Sequence, residues 1–252
     1  DIFNSTINGV EESDLIFLIG SNPRFEATIL NTKIRKSFVN NKTKIISLND
    51  VGDLTYSYQS LDGQTKTIVD IFEGRNDISK EILESKKPLI ILGESFLKSQ
   101  SANFMFHLIK KYLNENNKIS DDWNSLNILH SDASNVGCLD LRIINNQNIF
   151  SKLNDHYFDV IYLLGQDNLD FSKKNEFIIY QGSHGDKGAQ IADIILPGAA
   201  YTEQNGYFTN LEGKLQKAFK ASYPPGESKE DWQIINELAE VMNNRKLFND
   251  KD

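Results

Sequence analysis

The chain has 252 residues, with 27 basic and 35 acidic side chains and a net charge of −8. That balance argues against duplex nucleic acid as the main partner, because such binding needs a basic footprint. A single cysteine, Cys138, excludes an intrachain disulfide, a redox dithiol and a self-contained all-cysteine iron–sulfur cluster, and no apolar run approaches the ~20 residues that span a bilayer.

Short apolar runs alternate with helical patterns along the chain. Strands are predicted at residues 14–20, 44–48, 88–93, 125–130, 160–165, 177–181 and 191–196. Most of these runs are continuously apolar and do not alternate. That pattern suits strands covered on both faces, as in parallel sheets. After the first run, Ser21-Asn22-Pro23 is a helix start, a polar cap followed by proline at the first helical position. Ala27, Leu30, Ile34 and Phe38 then recur at helical spacing and make one buried face. Residues 68–84 read as a helix interrupted around Gly74-Arg75-Asn76. Residues 102–116 align Phe104, Leu108 and Tyr112, with Met105, Ile109 and Leu113 beside them. The polar stretch 114–124 reads as a loop, residues 205–216 as a hairpin or an extended crossing strand, and Tyr223-Pro224-Pro225-Gly226 as a rigid connector. The last helix, 231–242, places Trp232, Ile235, Leu238 and Met242 on one side. This β–α alternation predicts a doubly wound α/β fold.

Ligands of open α/β sheets bind beyond the carboxyl ends of the strands. Gly20, Ser21, Asn22, Pro23 and Arg24 are expected there. A helix start and an arginine suit a phosphate. The plainer reading is favoured: Asn22 and Pro23 begin a helix and Arg24 meets a carboxylate. No G-x-G-x-x-G follows a strand, and the glycine-rich stretch from Gly182 to Gly188 lacks the Gly-Lys-Ser/Thr of a P-loop. Ser183, His184 and Asp186 are too close in sequence to converge readily as a triad, so a tight loop between strands is the default. His107, His130, His156 and His184 show no metal-ligand spacing. His107 and His130 read as structural, and Cys138 as a small buried hydrophobe.

Longer blocks carry a resemblance. They begin with Gly9-Val10-Glu11-Glu12, Ser21-Asn22-Pro23-Arg24-Phe25-Glu26-Ala27 and Asp53-Leu54-Thr55-Tyr56. The longest runs from Tyr180-Gln181-Gly182 through His184-Gly185-Asp186 and Ile191-Ala192-Asp193 to Ile195-Leu196-Pro197-Gly198-Ala199-Ala200-Tyr201-Thr202-Glu203. Asn210, Glu212-Gly213, Gln216, Pro224-Pro225-Gly226 and Glu230-Asp231-Trp232 follow. In these, over nearly its whole length, the chain resembles the second half of the large, 75 kDa-type iron–sulfur subunit of respiratory complex I, the proton-pumping NADH:ubiquinone oxidoreductase. That half in turn resembles molybdopterin oxidoreductases. The shared features are the Asn22-Pro23 turn, Ala192-Asp193, Phe208-Thr209-Asn210, Glu212-Gly213 and Gln216.

The resemblance implies an α/β fold of doubly wound, mostly parallel sheets of the molybdopterin oxidoreductase type, incomplete without a partner segment. Residues 1–252 would be the C-terminal part of that domain, with sub-lobes at 1–122 and 123–252, and without the N-terminal iron–sulfur domains. The implied role is a structural, non-catalytic piece of the peripheral arm, supporting electron transfer by cluster-bearing neighbours. No catalytic, cofactor-binding or metal-binding residue is carried over. Iron–sulfur clusters are expected in the partner segment, and the molybdopterin site is expected to be vestigial. The implied partners are other complex I subunits, above all a chain bearing the N-terminal iron–sulfur domains, with no nucleic acid and no direct membrane span. The implied location is the matrix side of the mitochondrial inner membrane. The alternatives are a fragment of an active molybdopterin oxidoreductase and a nucleotide-binding Rossmann-like module.

Overall fold

In a computed structural model, which describes residues 2–143, 149–167, 169 and 172–248, the first apolar run becomes β1 (Leu15–Ile19), every residue of which is buried. Its continuity has a physical reason. Leu15, Phe17 and Ile19 point into one hydrophobic cluster and Ile16 and Leu18 into another on the opposite face. A strand covered on both sides has no solvent face to carry polar residues.

The chain groups into two compact units, Asp1–Arg142 with Thr209–Leu215, and Ile143–Phe208 with Gln216–Asp252. In the first unit, β1 is followed by a one-turn helix α1 (Pro23–Glu26), then α2 (Thr28–Asn41), β2 (Lys44–Ser47), a short β3 (Gln59–Ser60), α3 (Thr65–Phe72), α4 (Asp77–Glu84), β4 (Pro88–Leu92), α5 (Glu94–Leu97), α6 (Ala102–Glu115), β5 (Leu126–Ile128) and α7 (Asn135–Asp140). The five strands are parallel, in the order β3-β2-β1-β4-β5. Leu30 and Ile34 of α2 cover one face. Ile68, Ile71, Ile78, Ile82, Met105 and Ile109, from α3, α4 and α6, cover the other. Each such fully buried aliphatic side chain contributes ~1.5–3 kcal/mol. The unit is therefore doubly wound, as the run pattern predicted.

The predicted interruption near Gly74 is the break between α3 and α4, where Asn76 Oδ1 accepts the amide of Ile78 at 2.9 Å and starts the second helix. Three expectations are corrected here. The first helix breaks at Ala27, whose backbone leaves the helical region. Phe104 is 61% exposed, and the buried face of α6 is Met105, Ile109, Tyr112 and Leu113. The division expected at residue 122 falls after Arg142, because β5 is hydrogen-bonded to β4 and belongs to the first sheet.

The second unit holds α8 (Ile149–Asn154), β6 (Val160–Leu164), β7 (Phe177–Gly182), α9 (Lys187–Ile191), β8 (Ile194–Pro197) and α10 (Asp231–Asn243). Its strands are parallel, in the order β6-β7-β8. The strand predicted at 191–196 starts later, at Ile194, because 187–191 is helical. In α10 the buried residues are Ile234, Asn236 and Ala239, not the predicted stripe, and Met242 is 73% exposed. Asn236 explains the rotation: its Oδ1 accepts the amides of Leu247 and Phe248 at 2.7 and 2.9 Å.

Residues 205–216 take the hairpin alternative, with β9 (Gly206–Thr209) and β10 (Leu215–Ala218) paired. Among the described residues no helix is long and apolar enough to cross a membrane.

Candidate functional site

The order β3-β2-β1-β4-β5 reverses direction between β1 and β4, and a doubly wound sheet offers its ligand crevice at that point. Here the carboxyl ends of the two strands meet closely. The amide of Gly93 donates to Ile19 O at 2.9 Å. Ser95 Oγ donates to Gly20 O at 2.7 Å. A Cβ on Gly93 would lie 2.2 Å from Gly20 O, and one on Gly20 would lie 2.5 Å from Phe96 N. Gly20 also sits at φ +64°, where side chains are strained. At this point the ends of β1 and β4 touch, backbone against backbone, with no room for a side chain on either glycine.

Of the polar groups expected to meet a phosphate, Asn22 and Arg24 are engaged within the unit. Asn22 Oδ1 accepts the amide of Arg24 at 3.2 Å, and its Nδ2 donates to Val51 O at 2.9 Å. Pro23 takes the first helical position. Arg24 Nη1 lies 2.6 Å from both the carboxylate and the carbonyl of Asp53. The amide of Thr55 and the Arg24 guanidinium hold the Asp53 carboxyl below its ordinary pKa. This is the plainer of the two sequence readings. Ser21 is buried with its Oγ unpartnered, and its Cβ lies where a Gly93 side chain would project. Asn22 and Arg24 are thus committed to internal partners and do not present free donors to a pterin–nucleotide phosphate.

The other family-shared residues have structural work. Asp193 Oδ2 accepts the amide of Ile178 at 2.8 Å, and Oδ1 pairs with Lys173 Nζ at 2.6 Å. Both contacts, the Lys173 ammonium first, lower the Asp193 pKa. Asn210 Oδ1 accepts the amides of Glu212 and Lys214, closing the hairpin turn. Glu212 Oε1 accepts the amide of Ile7, and Leu211 O the amide of Phe3, so this tip clasps residues 3–7 within the first unit.

The glycine-rich stretch from Gly182 to Gly188 wraps the buried Tyr180. That phenol donates to Asp167 Oδ2 and His184 O at 2.8 and 2.7 Å. Burial, then the Asp167 carboxylate, pushes its pKa up to about 12. A Cβ on Gly182 or Gly188 would collide with that ring or its hydroxyl. Ser183 Oγ lies 2.9 Å from His184 Nδ1 in an exposed loop, and Asp186 precedes α9 without a capping hydrogen bond from its side chain. The loop between strands is therefore a packing device.

Among the histidines, His156 Nδ1 is hydrogen-bonded to the buried Glu176, whose Oε2 accepts the amide of Lys174 at 2.6 Å. His130 lies 3.2 Å from Asn135 Nδ2, and burial lowers its pKa. His107 is exposed, its ring edge against Phe106. Cys138, expected to be buried, is exposed on α7, because Val136 takes the inward position of that short helix. No cluster of three or more metal-ligating side chains occurs among the described residues.

The comparisons with known proteins agree with this fold. The chain is 41% identical over 247 residues to the NADH-ubiquinone oxidoreductase 75 kDa subunit of Reclinomonas americana, covering 97% of this chain and 36% of that one. It is 38% identical over 252 residues to the mitochondrial NADH-ubiquinone oxidoreductase 78 kDa subunit of Candida albicans, covering 99% and 34%. It is 42% identical over 239 residues to an NADH-quinone oxidoreductase subunit of Rickettsia conorii, covering 94% and 35%. The chain thus spans about a third of the length of these curated relatives. Among solved structures, acetylene hydratase from Pelobacter acetylenicus has the same fold at a TM-score of 0.51 and 15% identity, over 94% of this chain and 50% of that one. The molybdopterin oxidoreductase family model matches residues 1–241. With that match across both parallel sheets, the chain belongs to the molybdopterin oxidoreductase family.

Proposed function

We propose that this chain is a structural, non-catalytic part of the large iron–sulfur subunit of respiratory complex I. It shapes the peripheral arm, while electrons pass from NADH to ubiquinone through cluster-bearing neighbours. The observation that carries the reading is the 38–42% identity, over 94–99% of this chain, to subunits named for NADH-ubiquinone or NADH-quinone oxidoreductase. The non-catalytic character is supported by the closed crevice between β1 and β4, and by the commitment of Arg24 and Asn22 to internal partners. In this reading the molybdopterin site is vestigial. The principal partner is the portion of the subunit bearing the iron–sulfur clusters. The mitochondrial name of the Candida relative supports a mitochondrial location, and in this reading the chain lies on the matrix side of the inner membrane.

A mild-detergent native gel of the source membranes, with mass spectrometry of the band holding this chain, tests the proposal. The expected result is a large assembly that oxidises NADH and contains a cysteine-cluster polypeptide. Elemental and released-nucleotide analysis of the same band completes the test. Molybdenum and guanine nucleotide bound in proportion to this chain, in a small species, overturn it in favour of an active enzyme.

A further inference from the structure

In the sheet of the second unit, β6 and β7 are covered on one face, while Ile195 of β8 on that face is 54% exposed. Leu163, Ile178 and Tyr180 form the sheet's buried cluster, with Ala189, Ile191 and Ala192 packed against them. Residues paired across parallel strands project from the same face. The register Val160↔Phe177, Tyr162↔Ile179, Leu164↔Gln181 and Ile179↔Ile194 therefore places Val160, Tyr162, Leu164, Phe177, Ile179 and Ile194 together on the opposite face. There Val160 is 59% exposed, Tyr162 36%, Leu164 52%, Phe177 43% and Ile194 45%. α10 covers the carboxyl end of this face, where Asp231 accepts a hydrogen bond from Gln181 Nε2 at 2.8 Å and Ile234 lies beside Leu196, and it leaves the residues above exposed.

The edge of β6 is open as well. Phe177 N donates to Asp159 O and Gly165 N to Gln181 O, which sets the alternation of the parallel ladder. Odd-numbered residues of β6 thus spend their main-chain groups on β7. Those of Val160, Tyr162 and Leu164 point to the other edge, where no strand pairs among the described residues. A parallel sheet with one bare apolar face and an unpaired apolar edge is a hazard that proteins cover.

We infer that this edge and face receive a strand–helix segment from the two thirds of the family's large subunit that lie outside these 252 residues. The strand would extend the sheet parallel to β6, and the apolar side of the helix would cover Val160, Leu164 and Phe177. This rests on the complex I reading above and names where the rest of that subunit docks. The length fits, since this chain accounts for only 34–36% of its relatives. A second copy fits poorly. A two-fold axis would set β6 antiparallel to itself and bring two chains of net charge −8 together.

The test is a diazirine-bearing leucine analogue at Leu164, an exposed position that tolerates it, in the assembled respiratory complex isolated by native gel. After illumination, the expected cross-linked peptide belongs to the large-subunit family outside this chain's matched region. A cross-link to a second copy or to an unrelated subunit, or none at all, overturns the inference and leaves the complex I reading standing. Absence of the chain from any NADH-oxidising assembly overturns both. As a second measurement, the amides of Val160, Tyr162 and Leu164 within that complex should exchange with solvent at least 100-fold more slowly than unprotected amides. Fast exchange there overturns strand addition even if the cross-link forms.

Discussion

Replacing Gly93 by alanine probes the closed strand ends directly. Gly93 has ordinary extended dihedrals, φ −90° and ψ 175°, so alanine incurs no backbone penalty. Its Cβ would sit 2.2 Å from Gly20 O, 2.6 Å from Ser21 Cβ and 2.8 Å from the Gly20 carbonyl carbon. Two of those atoms are backbone and cannot rotate away. Relief requires the ends of β1 and β4 to part, stretching the Gly93 N–Ile19 O and Ser95 Oγ–Gly20 O bonds. Overpacking costs ~1–3 kcal/mol, and two weakened hydrogen bonds ~1 kcal/mol each, so a loss of about 3–5 kcal/mol is expected. At ~2–4 °C per kcal/mol for a domain of this size, melting falls by roughly 6–20 °C. Trp123 is a suitable reporter, because its Nε1 donates to Pro88 O at the start of β4. Replacing Trp232 by phenylalanine leaves it as the one tryptophan. The comparison is Gly74→Ala, where φ is +80° and nothing lies within 4 Å; strain alone costs ~1–2 kcal/mol there. If Gly93→Ala melts within about 3 °C of the parent by the same scaling, or is milder than Gly74→Ala, the crevice is open and the argument for a lost site fails.

Other outcomes follow from single contacts. Asn127 is fully buried and accepts the Ser5 amide at 2.8 Å. Asn127→Ala strands that donor, so a loss of ~1–3 kcal/mol is expected, with faster hydrogen exchange at Ser5; unchanged exchange there contradicts the assignment. The Lys174 amide, the main chain of Glu176 and His156 together depress the Glu176 carboxyl from 4.5 to about 2. A depressed carboxylate stabilises the fold above its ordinary pKa, and that contribution is lost as pH falls from about 4.5 toward about 2. Urea midpoints of the parent should therefore drop more steeply across that window than those of Glu176→Gln, and parallel profiles would refute the contact. Cys138 is exposed, so iodoacetamide should alkylate the folded isolated chain about as fast as the urea-unfolded one; strong protection would place it in a core.

Much of the first unit was legible because its strands are buried on both faces. A run such as Leu15 to Ile19 has no polar alternation, and that pattern alone points to a parallel, doubly wound sheet. The Asn22-Pro23 start was legible because capping is local chemistry. The faces of α6 and α10 were less so. Phe104 and Met242 fit a helical stripe as well as their neighbours do, and only the position of the sheet beneath the helix decides which stripe turns inward. The partner of Arg24 was foreseen as a carboxylate, but Asp53 lies 29 residues away, and sequence carries no signal for that pairing.

The sequence by itself determined the β–α alternation, the parallel sheets and the family, since these rest on periodicity, caps and long matching blocks. The tertiary structure decided whether the crevice is open. Glycines at Gly20 and Gly93 serve equally to admit a phosphate or to let two backbones touch, and only the distance between β1 and β4 separates those uses. It also decided that one apolar run has a bare face. Val160 to Leu164 reads in sequence like any strand buried on both sides, yet its second cover is not among the described residues, because burial is a property of what packs against a strand and not of the strand.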